Sequence, residues 1–381
     1  MSSILFDNVR VYLSGAFFPA QKVLIEKGKI AAVGSKVLKN VETVIDGQGK
    51  YLIPGLIDAH THLGLSDHGY GLSGSDLCEL SDPITPHLRP LDGIKMRSDA
   101  LSDARRSGIS VCMVCPGNSN LIAGHCSILK TYGNSADVGL IVEQAGIKVC
   151  FGEEPKQTLL GRKSFPCTRM GIAALLRETF MKAQDYHELK QSKKGLRDRI
   201  IQMEALGPLL DGAVPLRAHA QRLEDIMAAV RLADEFKLKL VIEHGIEAHK
   251  VADILAAKKI PVVLGPLLVA ERSTELRDRI FSSVVQLLDA GVEVALTCDY
   301  PGLPVETLRI AAAMAVQYGL DEKRALQCIT ETPAKMLGIA NRVGHIRKGY
   351  DADVGLFSGH PLDIRSKLEV LVIDGEIFKF N

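Results

Sequence analysis

No stretch of this chain approaches the roughly 18–20 consecutive apolar residues of a membrane span, so the sequence offers no transmembrane helix. The first residues, Met1-Ser2-Ser3-Ile4-Leu5-Phe6-Asp7, lack the basic and long apolar regions of a secretory leader, and a cytoplasmic protein is expected. Neither sign of charge dominates: 46 Lys+Arg against 45 Asp+Glu leave a formal charge of +1. Such a balance supplies no global field for nucleic acid or an anionic membrane, and the expected partner is a small-molecule substrate. Eight cysteines are scattered through 381 residues. Several lie inside apolar runs, which suits buried, reduced thiols better than a disulfide framework. Cys112-Met113-Val114-Cys115 has C-x-x-C spacing but no second pair to complete a metal or redox motif. Internal repeats and low-complexity tracts are absent, and self-association into a homo-oligomer is left open.

What is present is a 46% hydrophobic chain, long enough for one barrel of about 250 residues plus a smaller attachment. Short strand patterns fill residues 1–52, around Ile4–Tyr12 and Lys22–Val33, with turn signals at Lys27-Gly28 and Gly47-Gln48-Gly49. The last forty residues behave similarly, around Asp353–Phe357 and Leu368–Phe378. The economical reading is a composite β-sandwich subdomain, 1–53 with 340–381, flanking a central domain over 54–339. In that central part, short apolar strands alternate with amphipathic helical stretches, among them Asp92–Ser107, Gly171–Tyr186, Leu223–Phe236, Ile280–Ala290 and Asp321–Cys328. Strand then helix, about eight times, predicts an α/β fold: a (β/α)₈ TIM barrel with its active site at the carboxyl ends of the strands. The charged stretch of about 156–194 holds two helices at most and is a candidate lid.

Chemistry-bearing residues fall at those strand ends. His60 and His62 follow an apolar run at i and i+2 spacing, which places both rings on one face of an extended strand. His219 ends Val214–His219, His244 ends Leu238–His244, and Asp299 ends Gly291–Asp299. Four histidines and an aspartate form an N/O-rich set suited to one or two divalent cations, zinc before manganese or iron. The remaining histidines, His68, His87, His187, His249, His345 and His360, sit in polar or loop-like contexts and are not read as ligands.

A metal held by neutral imidazoles lowers the pKa of bound water and makes hydroxide available near neutral pH. Asp299 fits the general base, with His244 counted beside it as catalytic. Lys148, inside the apolar strand 145–151, must be neutral, turned away or chemically modified if it faces divalent cations. As a carbamate it could bridge two metals; Glu153, just past the strand, could do so without modification.

Taken together, Pro54-Gly55-Leu56-Ile57-Asp58-Ala59-His60-Thr61-His62, Ala218-His219-Ala220, Ile242-Glu243-His244-Gly245, Thr297-Cys298-Asp299-Tyr300-Pro301, Thr332-Pro333-Ala334 to Gly338, and Gly349 to Asp353 resemble the amidohydrolase superfamily. The similarity is to its imidazolonepropionase and metallo-dipeptidase (prolidase-like) branch, and it covers nearly the whole chain. The resemblance implies metal binding by His60, His62, His219, His244 and Asp299. It also implies a carboxylated Lys148 as the bridge in preference to Glu153, and a β-sandwich subdomain built from the termini. Gly152-Glu153-Glu154-Pro155-Lys156 departs from the glycine-rich segment of better-known dipeptidases.

Asn118, Asn120, His125, Lys130 and Tyr132 follow the strand around Val111–Cys115 and are expected near the substrate. Arg162 and Arg217 are candidates to pair with a substrate carboxylate. The expected function is hydrolysis of an amide or cyclic-amide C–N bond in a small molecule, by attack of a metal-bound hydroxide with Asp299 as general base. The alternative is a heterocycle deaminase on the same barrel, although strand alternation predicts that Glu243 turns away from the metal face. A non-catalytic binding protein is the third reading.

Overall fold

The structure is a computed structural model and describes residues 3–37, 40–66, 74–161, 163, 165–192, 198–271 and 273–380. Two sheets organise it. The first comes from both ends of the chain: β1 (Ser3–Leu13), β2 (Ala16–Glu26), β3 (Lys29–Gly34), β4 (Thr43–Asp46) and β5 (Tyr51–Pro54), joined later by strands β14 (Val354–Phe357), β15 (Leu368–Ile373) and β16 (Glu376–Lys379). The order is β16-β15-β14-β5-β1-β2-β3, with β4 also paired to β1. Alternating apolar side chains such as Ile4, Phe6, Val9, Val11, Val23, Ile25, Val354, Leu356, Val370 and Val372 pack into its own core.

The second sheet is the barrel: β6 (Leu56–Thr61), β7 (Ile109–Val114), β8 (Ile122–Lys130), β9 (Leu140–Cys150), β10 (Leu216–Ala220), β11 (Leu240–His244), β12 (Val262–Leu264) and β13 (Val294–Leu296). They neighbour one another in sequence order. Ile57, Ala59, Val111, Met113, Cys126, Ile128, Val241, Val263 and Ala295 converge from the strands to fill the interior. The barrel closes where the His62 N–H donates to the Tyr300 carbonyl (2.9 Å) and Thr297 Oγ1 donates to the His60 carbonyl (2.5 Å).

Eight regular strand–helix repeats are not what the chain builds. β8 runs antiparallel to both β7 and β9, while the other barrel pairings are parallel. The connection from β7 to β8, residues 115–121, is far shorter than the dozen or so residues a parallel crossover needs, so the chain can only turn back.

The handover between sheets occurs at Gly55, whose N–H donates to the Asp353 carbonyl (2.8 Å). A Cβ at this position would lie 2.2 Å from Ser110 Oγ, so the close approach requires glycine. Helix Leu223–Phe236 forms where expected, burying Ile226, Ala229, Val230 and Ala233 against the barrel and ending at Lys237 in the left-handed region. The charged excursion contains helices Glu153–Gly161 and Arg169–Gln191, the second capped by Thr168 Oγ1 accepting from Gly171 N.

Candidate metal centre

The two rings of β6 reach the barrel mouth by a backbone irregularity. Ile57 and Ala59 face the interior, so simple alternation would turn His60 outward. The pairing with β7 shifts between Asp58 and Thr61, Asp58 opposite Cys112 but Thr61 opposite Val114. That one-residue bulge resets the face, and His60 and His62 come together with ring centroids 5.4 Å apart at 82°. Similar local departures serve the other strands. His244 has φ 70 and Asp299 φ 54, left-handed backbone at the two strand ends where a side chain must be re-aimed.

The structure brings His60, His62, Lys148, His219, His244 and Asp299 into one buried cluster. Ligand atoms of His60, His62 and Asp299 all lie within 4.8 Å of one another; Asp299 Oδ1 is 3.5 Å from His62 Nε2 and 3.6 Å from His60 Nε2. The His244 ring centroid lies 4.8 Å from that of His60 and 4.4 Å from that of His219. Lys148 Nζ, fully buried, is 3.0 Å from His60 Nε2.

Tautomers follow from the neighbours. His62 Nδ1 sits 2.7 Å from the Cys115 carbonyl and His244 Nδ1 2.9 Å from the Gly265 carbonyl. Each Nδ1 therefore carries the proton, leaving the Nε2 lone pair free. Burial first, then the Lys148 charge, hold His62 down to about 3, and burial holds His60, His219 and His244 well below the ordinary imidazole range. These are neutral imidazoles, the ligating form. Both nitrogens of His219, His244 Nε2 and Asp299 Oδ1 are buried with no hydrogen-bond partner among the described residues. Buried orphan donors and acceptors of this kind fit a cation.

Two residues that sequence reasoning did not assign support this cluster. Asp58 accepts from Cys298 N (3.2 Å) and Cys298 Sγ (3.0 Å), and from His60 N (3.2 Å), tying β6 to the segment that carries Asp299. Glu243 does not turn away, as alternation was expected to make it. With Val241 it faces the barrel interior, its Oε2 2.9 Å from His60 Nδ1; the face changes one residue later, at His244.

Other expected site residues lie elsewhere. Arg217 is fully buried beneath the cluster, its Nε paired with Glu243 Oε1 and its Nη2 donating to the Ala59 carbonyl (3.0 Å), so it is not open to a substrate carboxylate. Glu153 directs its carboxylate to Thr274 Oγ1 rather than towards Lys148. His125 falls on the outer face of β8, since Cys126 and Ile128 take the interior; its backbone N–H donates to the Leu88 carbonyl (2.9 Å). Asn120 holds the carbonyls of Glu79 and Asp82. Because β8 is reversed, Lys130 and Tyr132 are carried to the opposite end of the barrel. Lys130 there pairs with Asp351 and Asp353, and Tyr132 packs edge-on against Phe378. Arg162 lies outside the described residues, as does His68.

An acidic latch borders the mouth. Glu275 accepts from Glu153 N (2.6 Å), Asp225 is bound bidentately by Arg169 (2.7 and 3.0 Å), and Gly152 sits at φ 98, a conformation that side-chain-bearing residues rarely adopt. Burial, with the charges of Glu153 and Asp225, raises Glu275 to about 7. An acid raised in the folded state favours folding while protonated, and that contribution is lost as pH rises through 7. Glu275→Gln is therefore expected to stabilise the protein at pH 8, by at most about 3 kcal/mol at about 1.4 kcal/mol per pKa unit. The gain should narrow below about pH 5, where the wild-type carboxyl is protonated in the fold. Denaturation curves at the two pH values check this; an equal effect at both would remove Glu275 from the titration.

Comparison with known proteins agrees with the geometry. The Amidohydrolase family profile matches residues 183–379. The crystal structure of an amidohydrolase from Thermotoga maritima MSB8 aligns with TM-score 0.96 and 39% identity, over 99% of this chain and 100% of that one. Amidohydrolase tasK of Hapsidospora irregularis is 27% identical over 388 residues, 93% of this chain and 39% of tasK, so the chain spans about two fifths of that relative. An imidazolonepropionase of Fusobacterium nucleatum subsp. nucleatum is 25% identical over 402 residues, 92% of this chain and 87% of that protein. The chain belongs to the amidohydrolase family.

Proposed function

We propose that this protein is a metal-dependent hydrolase that cleaves an amide or cyclic-amide C–N bond of a small molecule. The observation that carries this reading is the convergence of four neutral, buried imidazoles and Asp299, with His219, His244 and Asp299 atoms lacking any other partner. His60, His62, His219, His244 and Asp299 would hold one or two divalent cations, zinc first by donor type. Such cations, when bound, activate water and polarise a substrate carbonyl. Glu243 and the Cys115 and Gly265 carbonyls fix the ring orientations. Asp299 takes the proton of the attacking water and returns it to the leaving nitrogen.

Lys148 is the proposed bridge. Burial opposes its ammonium, the nearby Glu243 carboxylate favours it, and its pKa stands above the ordinary lysine value, so the metal-free cluster surrounds a cation. Loading divalent ions requires that charge to go. Addition of carbon dioxide to the neutral amine, with loss of a proton, replaces it by a carbamate anion, so metal uptake and carboxylation are coupled. Metal content per chain, measured after reconstitution with and without bicarbonate, tests the scheme. Two equivalents in wild type, falling to one in Lys148→Ala and unchanged in Glu153→Ala, are expected. Absence of metal in wild type, or an unaltered content in His60→Ala, would sink the hydrolase reading.

A further inference from the structure

One buried hydroxyl joins the two strand ends that carry His60 and Asp299. Thr297 directly follows β13 and is 1% exposed. Its Oγ1 donates to the His60 carbonyl (2.5 Å) and accepts from the Asp299 N–H (2.9 Å), so the hydroxyl serves as donor and acceptor at once. The Thr297 backbone N–H donates to the Leu264 carbonyl (3.1 Å) at the end of β12. The next residue, Gly265, offers the carbonyl that receives His244 Nδ1 (2.9 Å). Three of the proposed ligands, from three strands, are thereby tied to one residue. Asp299 depends on this support most. Its φ of 54 places a side-chain-bearing residue in the left-handed region, which persists only where the surroundings over-determine it. Asp299 Oδ1 is buried with no hydrogen-bond partner among the described residues, so the direction of that oxygen follows from the backbone. That backbone is pinned on one side by Thr297 and on the other by Gly302 N, which donates to the Asp299 carbonyl (2.7 Å).

We propose that Thr297 is a positioning residue of the metal centre, its hydroxyl fixing Asp299 against His60 so that the two can share a cation. This rests on the metal-hydrolase reading and adds to it a residue that acts only through the ligands. A threonine oxygen bonded to the N–H two residues on is also a common turn device, but that role alters stability and not the cation affinity of the folded protein.

The test is the zinc affinity of chelator-stripped protein in bicarbonate buffer, read by competition with a chromophoric chelator, beside thermal unfolding of the same metal-free samples. Thr297→Val keeps the branched shape and loses the hydroxyl; its zinc affinity is expected to fall about 10–100-fold, the range for groups that orient metal ligands. Thr297→Ala should behave alike, and Thr297→Ser, which keeps both hydrogen bonds, should stay at the wild-type value. Thr131→Val is the stability control. It removes a buried hydroxyl that donates to the Ile109 carbonyl (2.8 Å) at the opposite end of the barrel, and it should unfold at lower temperature yet bind zinc as wild type does. Cobalt(II) in place of zinc gives a second readout: wild type and Thr297→Ser should share one visible spectrum, and Thr297→Val should differ. Wild-type zinc affinity in Thr297→Val, an equal loss in Thr297→Ser or Thr131→Val, or failure of both Thr297→Val and Thr297→Ala to fold would overturn the positioning role and leave the hydrolase reading standing. Failure of wild type to bind zinc would overturn both.

Discussion

Asp299→Asn is expected to lower kcat/KM by a factor of about 10²–10⁴, the range set by loss of a positioned proton acceptor. The side chains have the same shape, and the asparagine oxygen can still face His60 and His62 from about the Asp299 Oδ1 position, 3.6 and 3.5 Å away. What the amide cannot do is accept a proton. Burial raises the Asp299 pKa in the absence of cations, and cations in the site would oppose that shift by stabilising the carboxylate. Activity should therefore rise with pH as Asp299 ionises in the wild type, and that limb should disappear from the residual activity of the variant. Steady-state kinetics across pH, beside metal analysis of the same preparations, give the outcome. Wild-type kcat/KM with full metal content would remove Asp299 from proton transfer.

The second large effect concerns stability. Arg217 and Glu243 are a fully buried pair inside the barrel, with Glu243 also beside His60. Removing one member of a buried pair strands the other charge, at a cost of about 3–5 kcal/mol. Arg217→Met should lose about that much in denaturant unfolding, and Arg217→Met with Glu243→Gln should recover part of it, because the stranded carboxylate is gone. A double variant as unstable as Arg217→Met alone would place the cost in lost packing around the arginine stem. Metal affinity in the double variant should stay weakened, since the Glu243 carboxylate no longer orients His60.

Much of this was legible in the chain. Apolar runs ending on His62, His219, His244 and Asp299 mark strands whose carboxyl ends gather polar groups, because the interior below the mouth is filled mainly by apolar side chains. Both termini read as strands for an equally local reason, alternation of apolar residues with turn signals between them. The reversed β8 was not legible, although the short connection between β7 and β8 carried the signal. Missing it placed Lys130 and Tyr132 at the wrong end of the barrel.

The sequence by itself determined which residue types stand at the strand ends and hence the donor set of the candidate metal centre. Such placement depends on hydrophobic periodicity, a property of neighbours along the chain. Only the tertiary structure decided which side chains face inward there. The bulge at Asp58–Thr61 and the left-handed backbone at His244 and Asp299 break the two-residue period. They bring His60 over Glu243 and turn His244 and Asp299 to the same mouth, because facing is settled by closure of the barrel and not by local pattern.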